Sequence, residues 1–405
     1  MLRSRARTFV VLLAATLLGP AGVVAVAPQA ALGAGCSVAV GAKTYPSLAT
    51  AIAKAPAGAT LTVSGTCRGA FTIGKKLTLK SGSPAGILKG STGTVLTANG
   101  GPLKVIGLTI TGGKATTCAS NNVAVCGGGL YVASGVTVSL TKVRMLGNVA
   151  VGTKARPDAH GGAIENEGTL SIVASTISGN SVTSTNVAEG GGISVFTGSL
   201  SILRSLISSN HATGTAFAGG GAIVNNDGSV SVIDSTLSEN SASSVSISLG
   251  GAYVDGKVAV TPSLRISGST VTLNDGGATG VGGVGSVGDV RIDSTILADN
   301  VGSPRDCLLG GTQSLNLSYD LVGTNTNCFA FTDGVNGNVV GSDAAPVNPR
   351  LDELASNGGP TKTHRLQSNS PAIGAAGAAP CLTPADQRGV KRPQGAACDI
   401  GAYER

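Results

Sequence analysis

The stretch "GGAIENEGTLSIVASTISGN" at residues 161–180 is echoed by "GGGAIVNNDGSVSVIDSTLSEN" at residues 219–240. Each carries a glycine pair, an alternating apolar run and a closing asparagine. The echo is periodic: with Asn148, Asn180, Asn210, Asn240, Asn274, Asn300 and Asn325 aligned, aliphatic residues fall at fixed offsets before every anchor. Ten residues before stand Val138 through Leu315, eight before Leu140 through Leu317, and three before Met145 through Val322. Five before is usually small, as in Ser175, Ser205, Ser235, Ser269 and Thr295, and an eighth copy, Leu103, Val105 and Ile110, closes on Gly113.

Apolar alternation followed by a second short apolar element reads as strand, turn, strand, and nothing in the unit has a 3.6-residue period. A repeat of 25 to 35 residues with a fixed corner predicts an all-β chain, a right-handed single-stranded parallel β-helix or β-solenoid. Its rungs would stack ~4.8 Å apart, so like residues lie over like. Asparagine suits the corner because it tolerates left-handed backbone and its amide can bridge rung to rung. The glycine pairs at Gly128, Gly161, Gly191, Gly220, Gly250 and Gly282 mark a second corner. The variable segments between each asparagine and the next glycine pair read as loops on one edge, where a partner would be met. His160 and His211 fall in them and read as solvated, whereas His364 reads as a packing or hydrogen-bonding residue.

Sixty-two glycines, no tryptophan and 3% aromatic residues are unlike an ordinary globular core, yet 41% apolar and 12% charged residues exclude a disordered polar chain. Residues 1–34 read as a signal peptide: Arg3, Arg5 and Arg7 precede an apolar run that Gly19, Pro20 and Gly22 interrupt, so no membrane span is expected after its removal. Export implies that the eight cysteines form disulfides. Pairing of neighbours, Cys36 with Cys67, Cys118 with Cys126, Cys307 with Cys328 and Cys381 with Cys398, is one of about 105 connectivities. No Cys/His cluster points to a metal, and no cofactor is expected. The Lys and Arg residues are scattered without runs, which argues against a nucleic-acid partner.

A solenoid must cover its ends. "YPSLATAIAKAPAGATLTV" at residues 45–63 predicts a short N-terminal capping helix, with Leu48, Ala51, Ile52 and Ala55 on one face, Ser47 as N-cap and Pro56 with Gly58 as the stop.

The GGA[I/Y] units with trailing asparagines resemble those of bacterial surface β-helices, including the polymorphic outer-membrane proteins, and the capping helix resembles the entry of pectin-lyase-like folds. At the other end, Asn357 to Thr361, Ser370 to Ile373, Asp386 to Gly389, Arg392, Pro393, Cys398 to Gly401, Tyr403 and Glu404 resemble a choice-of-anchor Q segment. Gly374 stands where that family often has an acid. The organisation expected is a β-helix with cap and about eight recognisable coils over residues 36–345, then a terminal coil and cap over 346–405. There Asp386, Arg388, Arg392 and Asp399 would form an ion network closing the bottom coil, pinned by Cys381 and Cys398.

The pectin-lyase-like fold also hosts lyases and hydrolases, but fold alone does not carry activity. Glycoside hydrolysis needs two carboxyls about 5 to 9 Å apart. Glu165, Glu167, Asp227 and Asp255 follow glycine corners and are the catalytic candidates, but Ser194 and Phe196 break their row. The expectation is a secreted or cell-surface, non-enzymatic scaffold for adhesion, envelope association or polymer binding, with a polysaccharide, the cell envelope or a protein as partner. The alternative is a polysaccharide lyase or glycoside hydrolase. The oligomeric state stays open.

Overall fold

The fixed offsets of the sequence become columns in space. The computed structural model describes residues 35–118, 124–256, 261–310, 315–328 and 330–405, so the leader read at 1–34 lies outside the described residues. The chain is a parallel β-solenoid with three sheets. The front sheet holds ten parallel strands, from Thr60–Ser64 to Leu315–Ser318. The flank sheet runs from Thr66–Arg68 to Val339–Val340, and the nine-stranded back sheet from Phe71–Ile73 to Cys307–Leu309. Two rungs, entering at Thr60–Ser64 and Leu77–Ser81, precede the first copy visible in the sequence.

Register explains the core. Val138, Leu170, Leu200, Val230, Leu264 and Val290 are direct partners on successive front strands, and so are Met145, Ile177, Ile207, Leu237, Val271 and Leu297 on the flank. Almost all are fully buried. Each such side chain contributes roughly 1.5–3 kcal/mol by leaving water, and it does so only because the neighbouring rung covers it.

The corners differ from expectation in one respect. The left-handed residue is the one before each of the first six asparagines: Gly147 (φ 60°), Gly179 (65°), Ser209 (53°), Glu239 (61°), Leu273 (58°) and Asp299 (61°). That turn frees the asparagine to point inward. At the glycine corner, Gly161 has φ 62°, and a Cβ on its neighbour Gly162 would sit 2.2 Å from the Gly191 carbonyl oxygen, so rung-to-rung approach there requires glycine.

The segments read as loops are instead a lobe of two further five-stranded parallel sheets. One contains Val149–Val151, Ser181–Thr183 and His211–Gly214; the other contains Asp158–His160, Val187–Glu189 and Phe217–Gly219. Between them lies a separate core of small residues, Ala150, Ala159, Val182, Ala188, Ala212, Ala218 and Ala242. Alanine lets the two sheets of a narrow arch close on each other.

Helix Leu48–Lys54 covers the upper end, with Ser47 Oγ accepting from Thr50 N at 3.4 Å and Leu48, Ala51 and Ile52 buried. A hairpin of Ser37–Val40 and Lys43–Tyr45 pairs antiparallel onto the first front strand. The lower end is closed by Phe331 and the Cys307–Cys328 disulfide. Cys36–Cys67, Cys118–Cys126 and Cys381–Cys398 are the other disulfides. Residues 346–405 do not close the bottom coil. They fold back along the flank sheet, where Thr383 Oγ1 donates to Asp234 Oδ1 (2.7 Å), Thr236 Oγ1 to Gln387 Oε1 (2.6 Å) and the Ala402 amide to Thr270 Oγ1 (3.0 Å).

Candidate functional site

Six of the seven aligned asparagines form one buried file. Asn148, Asn180, Asn210, Asn240 and Asn274 each donate Nδ2–H to the Oδ1 of the next, at 2.9–3.0 Å. The same Nδ2 reaches a backbone carbonyl of the preceding rung, such as Ile110 O (3.1 Å) from Asn148. Asn325 is not in the file: Asn300 donates to Asp306 Oδ1 (3.0 Å), because the short return over residues 301–305 brings Asp306 under the corner first. Burial raises the Asp306 carboxyl to about 6 although the Asn300 and Thr324 donors oppose it. The column five before the asparagines, read in the sequence only as small, is a second hydrogen-bonded file. Val143 N donates to Ser175 Oγ, Ser175 N to Ser205 Oγ and Ser205 N to Ser235 Oγ, at 3.0–3.1 Å.

The front sheet presents an open groove of about 550 Å³. Its floor is one outward column: Ser171, Ser201, Ser231, Arg265, Arg291 and Asn316 are direct register partners, and Ser139 continues the column beyond the groove. A parallel column of Thr169, Ser199, Ser229, Ser263 and Asp289 borders it. Arg265 Nε donates to Ser267 Oγ (3.2 Å) and Arg291 Nε to Asp293 Oδ2 (2.5 Å), which holds both guanidiniums beside the groove. The rung spacing of ~4.8 Å makes this a ruled surface of hydroxyls ending in two cations.

The four carboxylate candidates do not gather. Glu165 and Asp255 lie on the back sheet three rungs apart, roughly 14 Å at ~4.8 Å per rung, too far for a glycosidase pair. Asp255 accepts from Tyr253 OH (3.1 Å), Ser286 Oγ and Val287 N (2.7 Å), an internal network that fixes a turn. Glu167 accepts from Tyr131 OH at 2.9 Å, and Asp227 is half-buried in the turn after Ile223–Asn225.

Glu165 meets different company in the crevice between back sheet and lobe. His160, read as solvated, has a side chain only 17% exposed, and its Nδ1 lies 3.0 Å from Glu189 Oε2. Asn226 Nδ2 donates to the same Glu189 oxygen at 3.3 Å. Glu165 is buried and its Oε2 has no partner, with Ser194 its register neighbour. Burial raises the Glu165 carboxyl to about 7, against the opposing charge of His160. Burial works against charging His160, but the Glu189 hydrogen bond with the charges of Glu165, Glu189 and Asp158 outweighs it and lifts the imidazole to about 8. Glu189 is held below the usual range, since its bond to His160 overcomes the effect of burial. Two carboxyls are thus driven apart around one imidazole. Both His160 and Glu189 immediately precede a left-handed glycine, Gly161 and Gly190, and that fixed offset was the available signal.

His211 is exposed with Nδ1 2.8 Å from Ser241 Oγ, whereas buried His364 bridges Ser238 Oγ (2.9 Å) and the Asp352 carbonyl (2.8 Å). In the tail, Arg388 pairs with Asp386 (2.7 Å) and stacks 3.5 Å from the Tyr403 ring centre. Arg392 pairs with Glu404 (2.9 Å), a residue outside the expected network, and donates to the Asp399 carbonyl rather than to its carboxylate. Asp399 accepts backbone N–H groups of Gly374 and Arg405 at 2.7 Å. Among the described residues no group of three or more His, Cys, Asp or Glu is arranged to hold a metal ion, and no helix is long and apolar enough to cross a membrane. No family model, curated protein or solved structure matches the chain.

Proposed function

We propose that this chain is an extracellular β-solenoid scaffold that binds an extended polymer along its front groove without chemically altering it. The observation that carries the reading is the in-register column of serine hydroxyls ending at Arg265, Arg291 and Asn316. A surface ruled at constant spacing suits a ligand that also repeats, and a polysaccharide offers hydroxyls to such a floor. Four disulfides favour an oxidising compartment. The signal-like residues 1–34 and the likeness of residues 346–405 to a choice-of-anchor Q segment favour secretion or surface attachment. The test is binding to a panel of immobilised glycans: Arg265→Ala/Arg291→Ala weakens the best ligand at least about tenfold while far-UV spectrum and melting stay as in the wild type. Unchanged affinity for every glycan in that variant refutes the groove.

The enzymatic reading has one observation of its own, the Glu165–His160–Glu189 cluster, with an acid near neutral pH beside a charged carboxylate. Turnover of any polyuronide that Glu165→Gln abolishes would replace the binding-only reading with a lyase or hydrolase.

A further inference from the structure

Residues 35–157 contain thirteen Lys and Arg and no Asp or Glu, whereas residues 158–405 contain twelve against twenty-one acids. Along the sequence the cations are scattered. The solenoid collects them, because residues 35–157 build the first four front rungs and the later residues build the six that follow. The molecule is therefore charged oppositely along its axis, with a basic upper part. Arg68 and Lys89 are register partners on the flank sheet, and Arg144 lies two rungs beyond Ile87 in the adjacent column. All three are exposed, with Thr109 and Thr111 between them. The tail's hydrogen bonds to the flank begin at Arg204, and its segment around Leu354–Lys362 borders a cleft with Arg144, so the tail edges this stretch at Arg144 while Arg68 and Lys89 lie above it.

We infer that the upper flank sheet is an electrostatic docking surface for an acidic polysaccharide lying along the solenoid axis. The inference rests on the extracellular setting proposed above but not on the front groove. Field lines from a cluster without acidic residues in its own part of the chain draw in a polyanion and raise its association rate. The chemistry of the surface selects among polyanions. Ten of the thirteen cations in residues 35–157 are lysines, point charges that spread a diffuse field over the upper part, and the flank adds Arg68 and Arg144 beside Lys89, forks that suit carboxylates. Every exposed large apolar residue described lies at Phe196 or later, so the basic part has no wedge for a lipid surface. Its flank presents no aromatic ring on which bases could stack. Threonine hydroxyls between the cations match a sugar backbone instead.

The experiment is binding of the full chain to immobilised alginate, with dextran, phosphatidylglycerol vesicles and single-stranded DNA as comparison arms. Expected is alginate binding that weakens about tenfold or more between 50 and 500 mM NaCl. It falls at least tenfold in Arg68→Glu/Lys89→Glu/Arg144→Glu and persists in Arg305→Glu/Arg350→Glu/Lys391→Glu, which makes the same change of charge on exposed residues of the other part. If the first variant melts differently from the wild type, Arg68→Gln/Lys89→Gln/Arg144→Gln replaces it. Equal loss in both reversals, salt-insensitive binding, or preference for the vesicles or DNA overturns the inference. Loss of alginate in Arg265→Ala/Arg291→Ala with no loss in the flank variants places the ligand in the front groove, so this inference falls while the proposed function stands. Alginate bound through the flank with no glycan in the groove has the reverse meaning.

Discussion

The body and the lobe share one rung spacing but are held together by different means. The body encloses Leu, Ile and Val in unbroken columns and lines its corner with an amide file, whereas the lobe closes over alanines and meets the body at a buried acid–base cluster. The body's cohesion therefore demands volume, and Asp306 at the foot of its amide file titrates at about 6, below the seam groups. The lobe buries less apolar area per rung and carries charge at its seam, so it is the part that conditions can loosen.

Replacing Asn210 with leucine is expected to break the body most severely. It strips the acceptor from both Asn180 N (3.1 Å) and Asn180 Nδ2 (2.9 Å), and two buried orphan donors cost about 2–6 kcal/mol together in chemical denaturation. Ile177→Ala, a cavity in the flank column, costs about 2–5 kcal/mol by the same measurement. A loss under 1 kcal/mol in either would mean that the rungs are not stacked as described.

The seam separates the two parts by pH. Glu165 and His160 both bind protons more tightly in the folded chain, Glu165 rising from an ordinary 4.5 to about 7 and His160 from 6.5 to about 8. Their contribution is complete below the lower value of each and is lost as pH rises through 7 and then 8. Glu189 acts oppositely, only on the acid side below its ordinary 4.5. Between pH 5 and 8.5 the lobe amides should lose protection relative to the body, by on the order of 3 kcal/mol for Glu165. Hydrogen exchange, corrected for intrinsic rates, should show this in the wild type and much less in Glu165→Gln; identical profiles would discount the seam. The smallest effect is expected from Ala188→Val, which overfills the lobe core at about 1–3 kcal/mol and should raise exchange in the lobe alone.

Much of the body was legible because side-chain offsets from Asn148 to Asn300 survive every change of spacing, and offset converts directly to register. The lobe was legible too, in a signal that was not read. A small apolar residue stands two after the asparagine, as Ala150, Val182, Ala212 and Ala242, and two before the left-handed glycine, as Ala159, Ala188 and Ala218. Between those fixed positions the lengths vary, and variation in the middle masked regularity at both ends. The Glu165 cluster could not be read in the same way. Glu165 is buried only because the lobe folds over it, and no local pattern reports a covering element that is itself unseen. For the tail, a run of motif residues pointed to the Asp386–Arg388 pair but not to Glu404 as the partner of Arg392, nor to which side of the stack they face, since that choice is made by Asp234, Thr236 and Thr270 more than a hundred residues earlier.

Those distant tail contacts bear on how the molecule is assembled. Among the described residues the strand junctions of the stack join each rung to its neighbour in sequence, so the coil can wind in the order in which the chain is threaded, each turn templating the next. The clasp of residues 346–405 must wait, because its seats on Arg204, Asp234, Thr236 and Thr270 exist only after several turns are wound. It thus works as a check of completeness: a stack with a missing or slipped turn presents those seats out of line, and the clasp cannot fasten.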